Sequence, residues 1–445
     1  MDYGSIFYAN AAQSHLSKIE RVKNSSLRLC MGLLKSTPIN VIEVEACEPP
    51  LNVRRQFLSD KFTAKATCRN VRLRNSLHLL TILDLTSAYW SKKDSPAMVK
   101  SYLKLLEYAP YYHISEGSPY QSVEYEDLIT PINTHYLCSD IPQFVNNEFE
   151  QHIRTKWPDF EYIFTDGSRK GCQTGCAFYH HNTKYYQEYK LPNLASIYTA
   201  EEYAILKAME YALNLQNNKL AISTDCKSFV DQINCSKHNK ADNISADILT
   251  IHGRLKRSGK YLAIIWIKGH SGITPNEIVD AHAKMAATKT GEQVPQNLVP
   301  PSDLNAPFHT NLKAQWQRHF ENAPTGTYYK TFQPRVLKKI WFTSVTNRGF
   351  IKTLSRIRSD HALCKKYKHK IGLAEDPYCT CGEVEDMQHI ILECPQYQNQ
   401  RSHFYQEILK IGTCLPVNLV TLLTTQDIHV YYCLYNYIKE IDIKV

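Results

Sequence analysis

Tyr162-Ile163-Phe164-Thr165-Asp166-Gly167-Ser168 is a short apolar run that ends in a carboxylate and a glycine. It reads as a buried strand giving way to a turn. Working outward, Cys176 to Tyr179 and Lys184 to Tyr189 are predicted to be strands, and Ala200 to Leu215 a helix. A strand at Leu220 to Thr224 follows, then helices near Ser228 to Ile233 and from Ile244 to Arg257, a strand at Tyr261 to Ile267 and a helix from Asn276 to Ala287. This order predicts an α/β domain over residues 158–290, with a mixed five-stranded sheet flanked by helices. Its later strands are parallel because helices join them.

Such a sheet places acidic residues together. Asp166 follows one apolar strand and Asp225 closes another; if those strands are parallel neighbours, both side chains leave the same edge, where open sheets host ligands. Glu201 is expected in the first turn of the helix that begins near Thr199, and Asp280 one turn into the helix opened by Asn276. Close-packed carboxylates raise one another's pKa unless a cation neutralises them. A hard, oxygen-preferring ion such as Mg²⁺ is the chemical reason to build the cluster, and two such ions serve phosphodiester hydrolysis. His270, in Gly269-His270-Ser271-Gly272, is placed to carry protons. The plain reading of each residue alone is a turn, a cap or a surface group. Glu202 reads only as favouring the positive end of its helix, and Asp231 and Asp247 as solvated helix faces.

Four ordered motifs carry a family resemblance: the 162–168 stretch; Tyr198-Thr199-Ala200-Glu201; Ser223-Thr224-Asp225; and Trp266-Ile267-Lys268-Gly269-His270-Ser271-Gly272-Ile273 running into Asn276-Glu277-Ile278-Val279-Asp280. Together they resemble the type-1 ribonuclease H family. The resemblance implies that Asp166, Glu201, Asp225 and Asp280 bind two magnesium ions, that His270 assists catalysis, and that the substrate is the RNA strand of an RNA–DNA hybrid. Pro275 and Cys226 stand where related sequences commonly have Gly and Ser; neither departure removes a ligand.

The flanks resemble the C-terminal portion of non-LTR retrotransposon reverse transcriptases. The N-terminal likeness lies in Asp2-Tyr3-Gly4-Ser5, in Leu27-Arg28-Leu29 with Ser36-Thr37-Pro38-Ile39, and in Glu48-Pro49-Pro50-Leu51 with Arg54-Arg55. At the other end it lies in Arg356-Ile357-Arg358-Ser359-Asp360-His361 and Ile371-Gly372-Leu373-Ala374. No adjacent aspartate pair of a polymerase site is present, and no upstream endonuclease is expected. The expected organisation is a basic helical region at 1–105, a linker at 106–157, the nuclease at 158–290, a helical linker at 291–345 and a Cys/His region at 346–445.

In that last region Cys379, Cys381, His389 and Cys394 form C-x-C-x7-H-x4-C. Three thiolates and an imidazole suit a closed, structural zinc site; free buried thiols are the alternative, and His361 and Cys364 are competing ligands. The run 330–370 holds twelve Lys or Arg against one Asp. It is a candidate phosphate contact, with Tyr328, Tyr329, Phe332 and Trp341 as candidate base-stacking rings. A solvated helix face with a buried aromatic side is the equal alternative. Arg254, Lys256, Arg257 and Lys260 read either as substrate contacts or as cations at a helix C-terminus.

The chain has 445 residues and a net charge of +9, which favours polyanionic partners without by itself selecting nucleic acid. No segment reaches the roughly 18 apolar residues of a spanning helix, and no secretory leader is evident. An intracellular protein that does not enter the membrane is expected, with most of its 14 cysteines reduced. Two rival readings remain: a non-catalytic nucleic-acid-binding remnant of a transposon protein, and a DNA-directed nuclease or integrase on a similar sheet.

Overall fold

The structure, a computed structural model, describes residues 2–89, 92–108, 142–234, 243–294, 298–416, 418–443 and 445. Part of the stretch read as a linker, 109–141, lies outside the described residues. The chain divides into two compact units, one made of Met1–Leu58 with Phe308–Val445 and the other of Ser59–Pro307.

In the Ser59–Pro307 unit, the strand predicted around Phe164 is longer than its apolar run. β1 spans Glu161–Lys170 and turns at Gly171, whose φ of +63° suits a tight hairpin, into β2, Gln173–His180. Lys170 pairs with Gln173 and Asp166 with Ala177. β3 (Tyr186–Leu191) lies antiparallel to β2, while β4 (Lys219–Thr224) and β5 (Tyr261–Trp266) continue in parallel from β1. A sixth strand, β6 (Glu292–Gln293), adds in parallel to β3, so the sheet order is β5-β4-β1-β2-β3-β6 rather than the five strands expected. Two residues are too few for any hydrophobic alternation to announce a strand.

Among the described residues, five α-helices frame this sheet: α1 (Pro142–Lys156), α2 (Ile197–Leu213), α3 (Lys227–Asn234), α4 (Asn243–Arg257) and α5 (Thr274–Met285). α1 lies in the stretch read as a linker. Its Val145, Phe149 and Ile153 recur at helical spacing and, with Trp157, enter a core with Tyr162, Phe164, Ala221, Ile265 and, from α5, Val279 and Ala283. Burying a large apolar side chain stabilises by about 1.5–3 kcal/mol, so this core fixes α5, and with it Asp280, against the sheet.

Helices also make up the N-terminal region: Gln13–Met31, Ile39–Glu45, Leu51–Arg69, Val71–Thr86 and Ala97–Tyr108. No described helix is long and apolar enough to cross a membrane.

The other unit buries charge within an aromatic core. Arg358 is fully buried; its Nε lies 2.5 Å from Oε1 of the equally buried Glu45, and its Nη1 donates to the Tyr431 hydroxyl at 2.6 Å. The Trp341 indole donates to the other Glu45 oxygen. The rings of Tyr329, Phe332, Trp341 and Tyr431 all lie within 5.7 Å of the guanidinium carbon, a cation–π cage. Tyr329 and Phe332 are therefore buried around an arginine and are not available to stack on bases. The aromatic side of the 330–370 run serves the core.

Removing one member of such a pair strands the other charge, at a cost of about 3–5 kcal/mol. Glu45→Gln is expected to lower the unfolding free energy by that amount in urea titrations. Glu45→Leu combined with Arg358→Met should recover most of the loss; a single variant as stable as wild type would refute the account.

Candidate active site and metal centre

Register brings the first two carboxylates together. The last parallel pair of β1 and β4 is Thr165 with Thr224, so Asp166, the next residue of β1, and Asp225, the first residue after β4, leave this pair side by side at its carboxyl end. Glycine admits the third. A Cβ on Gly167 would lie 2.7 Å from the Glu201 backbone nitrogen and 3.0 Å from the Ala200 Cβ, so only glycine lets α2 rest against β1 here. The start of α2 is itself fixed. Ser196 caps it by accepting from the Thr199 N–H at 3.1 Å, and Asp303 accepts from the Ser196 N–H at 2.8 Å and the Thr199 hydroxyl at 2.6 Å. Because Ser196 is the cap, α2 begins at Ile197, earlier than predicted, and Glu201 stands beyond its first turn.

Asp166, Glu201 and Asp225 each place a carboxylate oxygen within 4.8 Å of the others. Asp166 and Glu201 are buried and Asp225 is half-buried. Asp280 joins a neighbouring group, with His270 and Glu277, whose ligand atoms also lie within 4.8 Å of one another. It pairs with Lys284 at 2.5 Å. Its charge nonetheless reaches all three of the other carboxylates. The structure thus gathers three of the four expected acids tightly and sets the fourth beside them.

Burial, then the charges of Asp225 and Asp280, pushes Asp166 up to about 8, against the opposing pull of Lys284 and the Gly167 N–H. Burial and then Asp166 hold Glu201 well above the ordinary carboxylate range. Asp225 is raised by burial, with His270 opposing. Asp166 Oδ2 and Glu201 Oε2 are buried and have no hydrogen-bond partner among the described residues. Oxygens that are dry, crowded and unpartnered fit a hard divalent cation.

His270 takes a left-handed backbone, φ +51°, in a loop where Gly272 has φ +88°. Its imidazole is exposed and sits 4.0 Å from Glu277. Gly269 leaves room for Asp225: a Cβ there would run into the Asp225 Oδ2. Pro275 falls in the first turn of α5, where a missing N–H costs nothing, so this departure from the family pattern is accommodated. The Cys226 thiol is pushed up to about 11 by burial, and its N–H donates to the Thr224 hydroxyl at 3.2 Å.

Glu202 corrects the sequence reading. It is fully buried, and its Oε1 accepts from the Tyr198 hydroxyl at 2.8 Å and the Ser245 hydroxyl at 2.7 Å, tying α2 to α4. The downstream Ser245 in a predicted helix was its only signal. Asp231 and Asp247 are exposed, as expected. Lys260 donates to the Ala212 carbonyl at 3.0 Å and to that of Leu215, so it caps the end of α2.

In the other unit, Cys379, Cys381, His389 and Cys394 bring their ligand atoms within 4.8 Å of one another. Cys379 and Cys394 sulfurs lie 3.8 Å apart, and Cys381 Sγ lies 3.2 Å from His389 Nε2. Gly382, φ +95°, closes a turn over the first two cysteines by donating its N–H to the Cys379 carbonyl at 2.9 Å; the Asp386 carboxylate accepts from the His389 N–H at 3.0 Å. Burial opposes ionisation of Cys379, but hydrogen bonds from the Cys381 backbone and from His389 outweigh it and bring the thiol down to about 6. Neither His361 nor Cys364 is a member of this group. Thiolate and imidazole at these separations fit a soft tetrahedral ion.

Residues 159–288 match the RNase H family. No match is found among curated proteins. Among solved structures, the chain is similar to the RNase H1 of the halophilic archaeon Halobacterium salinarum NRC-1, at 16% identity over 29% of this chain and 98% of that one, with a TM-score of 0.23.

The raised Asp166 implies a stability linkage. Its folded pKa of about 8 exceeds the ordinary 3.8, so without metal its contribution is fully present below about pH 4 and is lost as pH rises through about 8. Metal-free Asp166→Asn should therefore melt above metal-free wild type at pH 8 and level with it near pH 3.5, by about 2–4 °C for each kcal/mol relieved. Added magnesium should raise the wild-type melting temperature alone. Equal melting curves at pH 8 would count against the buried carboxylate cluster.

Proposed function

We propose that the chain is a ribonuclease that hydrolyses the RNA strand of RNA–DNA hybrids, using the domain at about 158–290. One observation carries this reading: Asp166, Glu201 and Asp225 converge, with orphaned buried oxygens, inside the segment that matches the RNase H family. These three residues and Asp280 would hold two magnesium ions. Bound there, the ions supply activation of water and stabilisation of the leaving oxygen in phosphodiester displacement.

The protein's own residues do the rest. Asp166 and Asp225, set by strand register, would hold the cation together with Glu201 from α2. Lys284 orients Asp280 through their ion pair on the same helix. His270 exchanges a proton with the departing sugar oxygen; its exposure and its approach to Glu277 suit a group that must meet both substrate and solvent. The choice of a hybrid over an RNA duplex rests on the family alone, because the 2′-hydroxyl contacts that read RNA are not specified by the carboxylates.

The wider context follows from the flanking motifs. We read the chain as derived from a non-LTR retrotransposon protein and intracellular. The 1–105 region, the segments at 106–157 and 291–345 and the 346–445 region would flank the nuclease, and Cys379, Cys381, His389 and Cys394 would hold a structural zinc ion. The exposed cations of 330–370 would meet phosphates, without stacking of bases on Tyr329 or Phe332. A non-catalytic nucleic-acid-binding remnant is the second reading; the retention of all five site residues weighs against it.

Cleavage separates these readings. With magnesium, the chain should cut the RNA strand of a hybrid and leave matched RNA and DNA duplexes intact. Asp166→Asn should show no cleavage, and His270→Ala should lose on the order of a hundredfold in rate. Hybrid bound but not cut by wild type would establish the remnant instead. Purified chain should also contain zinc, and Cys394→Ser should release it; a zinc-free protein with unchanged melting would exclude the structural ion.

A further inference from the structure

The unit formed by Met1–Leu58 and Phe308–Val445 contains a cavity of about 250 Å³ that belongs to neither centre above. Phe57, Leu312 and Trp316 supply apolar and aromatic wall, His309 stands at the rim, and Lys313 and Lys338 bring positive charge. None of the eleven residues lining it is acidic, which sets the sign of any charged ligand. Phe57 and His309 meet edge to face with ring centroids 6.0 Å apart, and Trp316 is buried beneath.

Its cations differ in availability. Arg54 also lines the cavity, but Asp2 at 2.6 Å and Glu48 at 3.1 Å already engage its guanidinium. Lys313 is half-buried and Lys338 exposed, and neither forms an ion pair or hydrogen bond among the described residues. The available charge is thus concentrated at two lysines beside a wall of rings.

Size and chemistry together narrow the ligand. Pockets for drug-sized ligands run to roughly 300–1,000 Å³, so this smaller space suits one planar ring system with its substituent at the mouth. An apolar chain would leave the lysines unused, and a bare anion would leave the rings unused. A heteroaromatic base carrying a phosphate uses both, stacking on aromatic side chains while the phosphate meets the ammonium groups. We propose that this cavity binds a single unpaired nucleotide, its base inserted toward Phe57 and Trp316 and its phosphate held by Lys313 and Lys338. The source is either a free nucleoside monophosphate or the unpaired end of a strand. The inference does not depend on hybrid cleavage.

Photolabelling of the full-length Asp166→Asn chain tests it with catalysis silenced. The two probes are 8-azido-AMP and an oligonucleotide ending in 8-azidoadenosine. Adducts are expected on peptides covering 45–60 or 308–340. Lys313→Glu with Lys338→Glu should lower labelling at least tenfold, while Lys313→Arg with Lys338→Arg retains it as a control for folding. Phe57→Ala should weaken binding by about 5- to 100-fold, the loss of one stacked base. Labelling by both probes assigns the site to strand ends, and labelling by the free nucleotide alone assigns it to nucleotides. Adducts confined to other peptides, or inorganic phosphate displacing the probe as well as AMP does, would overturn the proposal.

Discussion

Burying Asp166 and Glu201 beside Asp225 is unfavourable twice over, once for leaving water and once for their mutual repulsion. Much of the α/β unit can be understood as the machinery that holds them there regardless. Strand register positions two of the three, and a glycine beside the first lets a helix approach with the third. The Ser196 cap and Asp303 anchor that helix from behind, and the buried Glu202 ties its first turns to α4. A second glycine, at 269, opens the space that the Asp225 carboxylate fills. None of these contacts favours the crowded state by itself. Each removes a way for the carboxylates to relax apart, which is what preorganisation for a cation requires.

What could be read beforehand followed the distance over which each signal acts. The strand–helix order from Phe164 to Asp280 came from local periodicity, and so did the placing of Asp225 just past a strand end; Asp166 was expected at a strand end too, but β1 runs on through it to Lys170 because it pairs with β2. Glu201 was found, but the start of its helix was placed two residues late, because that start depends on which of several polar residues caps it. β6 and the buried role of Glu202 were not legible: a two-residue strand has no period, and a glutamate at a helix start looks the same whether it faces solvent or a serine from another helix. Asp280 was expected inside the carboxylate cluster and instead sits beside it, held by Lys284 on the same helix.

The helical unit was less legible for a related reason. Its sequence shows a run of cations with aromatic residues interspersed, and composition alone cannot say which of those cations faces inward. Arg358 does, and Tyr329 and Phe332 turn inward with it. The resemblance of the surrounding residues to a retrotransposon tail located the segment without indicating that its centre is a buried ion pair. The Cys/His set was legible because ligand type and spacing are local; Gly382 closes the turn over its first two cysteines.

Glu45 and Arg358 are 313 residues apart in the chain. A ribosome adds about 5–20 residues per second, so a nascent Glu45 waits roughly 15–60 s before its counter-charge has been synthesised. Residues 59–307, which include the whole α/β sheet, emerge within that interval. The order of assembly is thus imposed by connectivity: the unit of residues 59–307 can finish early, whereas the other must hold an acidic, half-formed core open until Arg358 has been made.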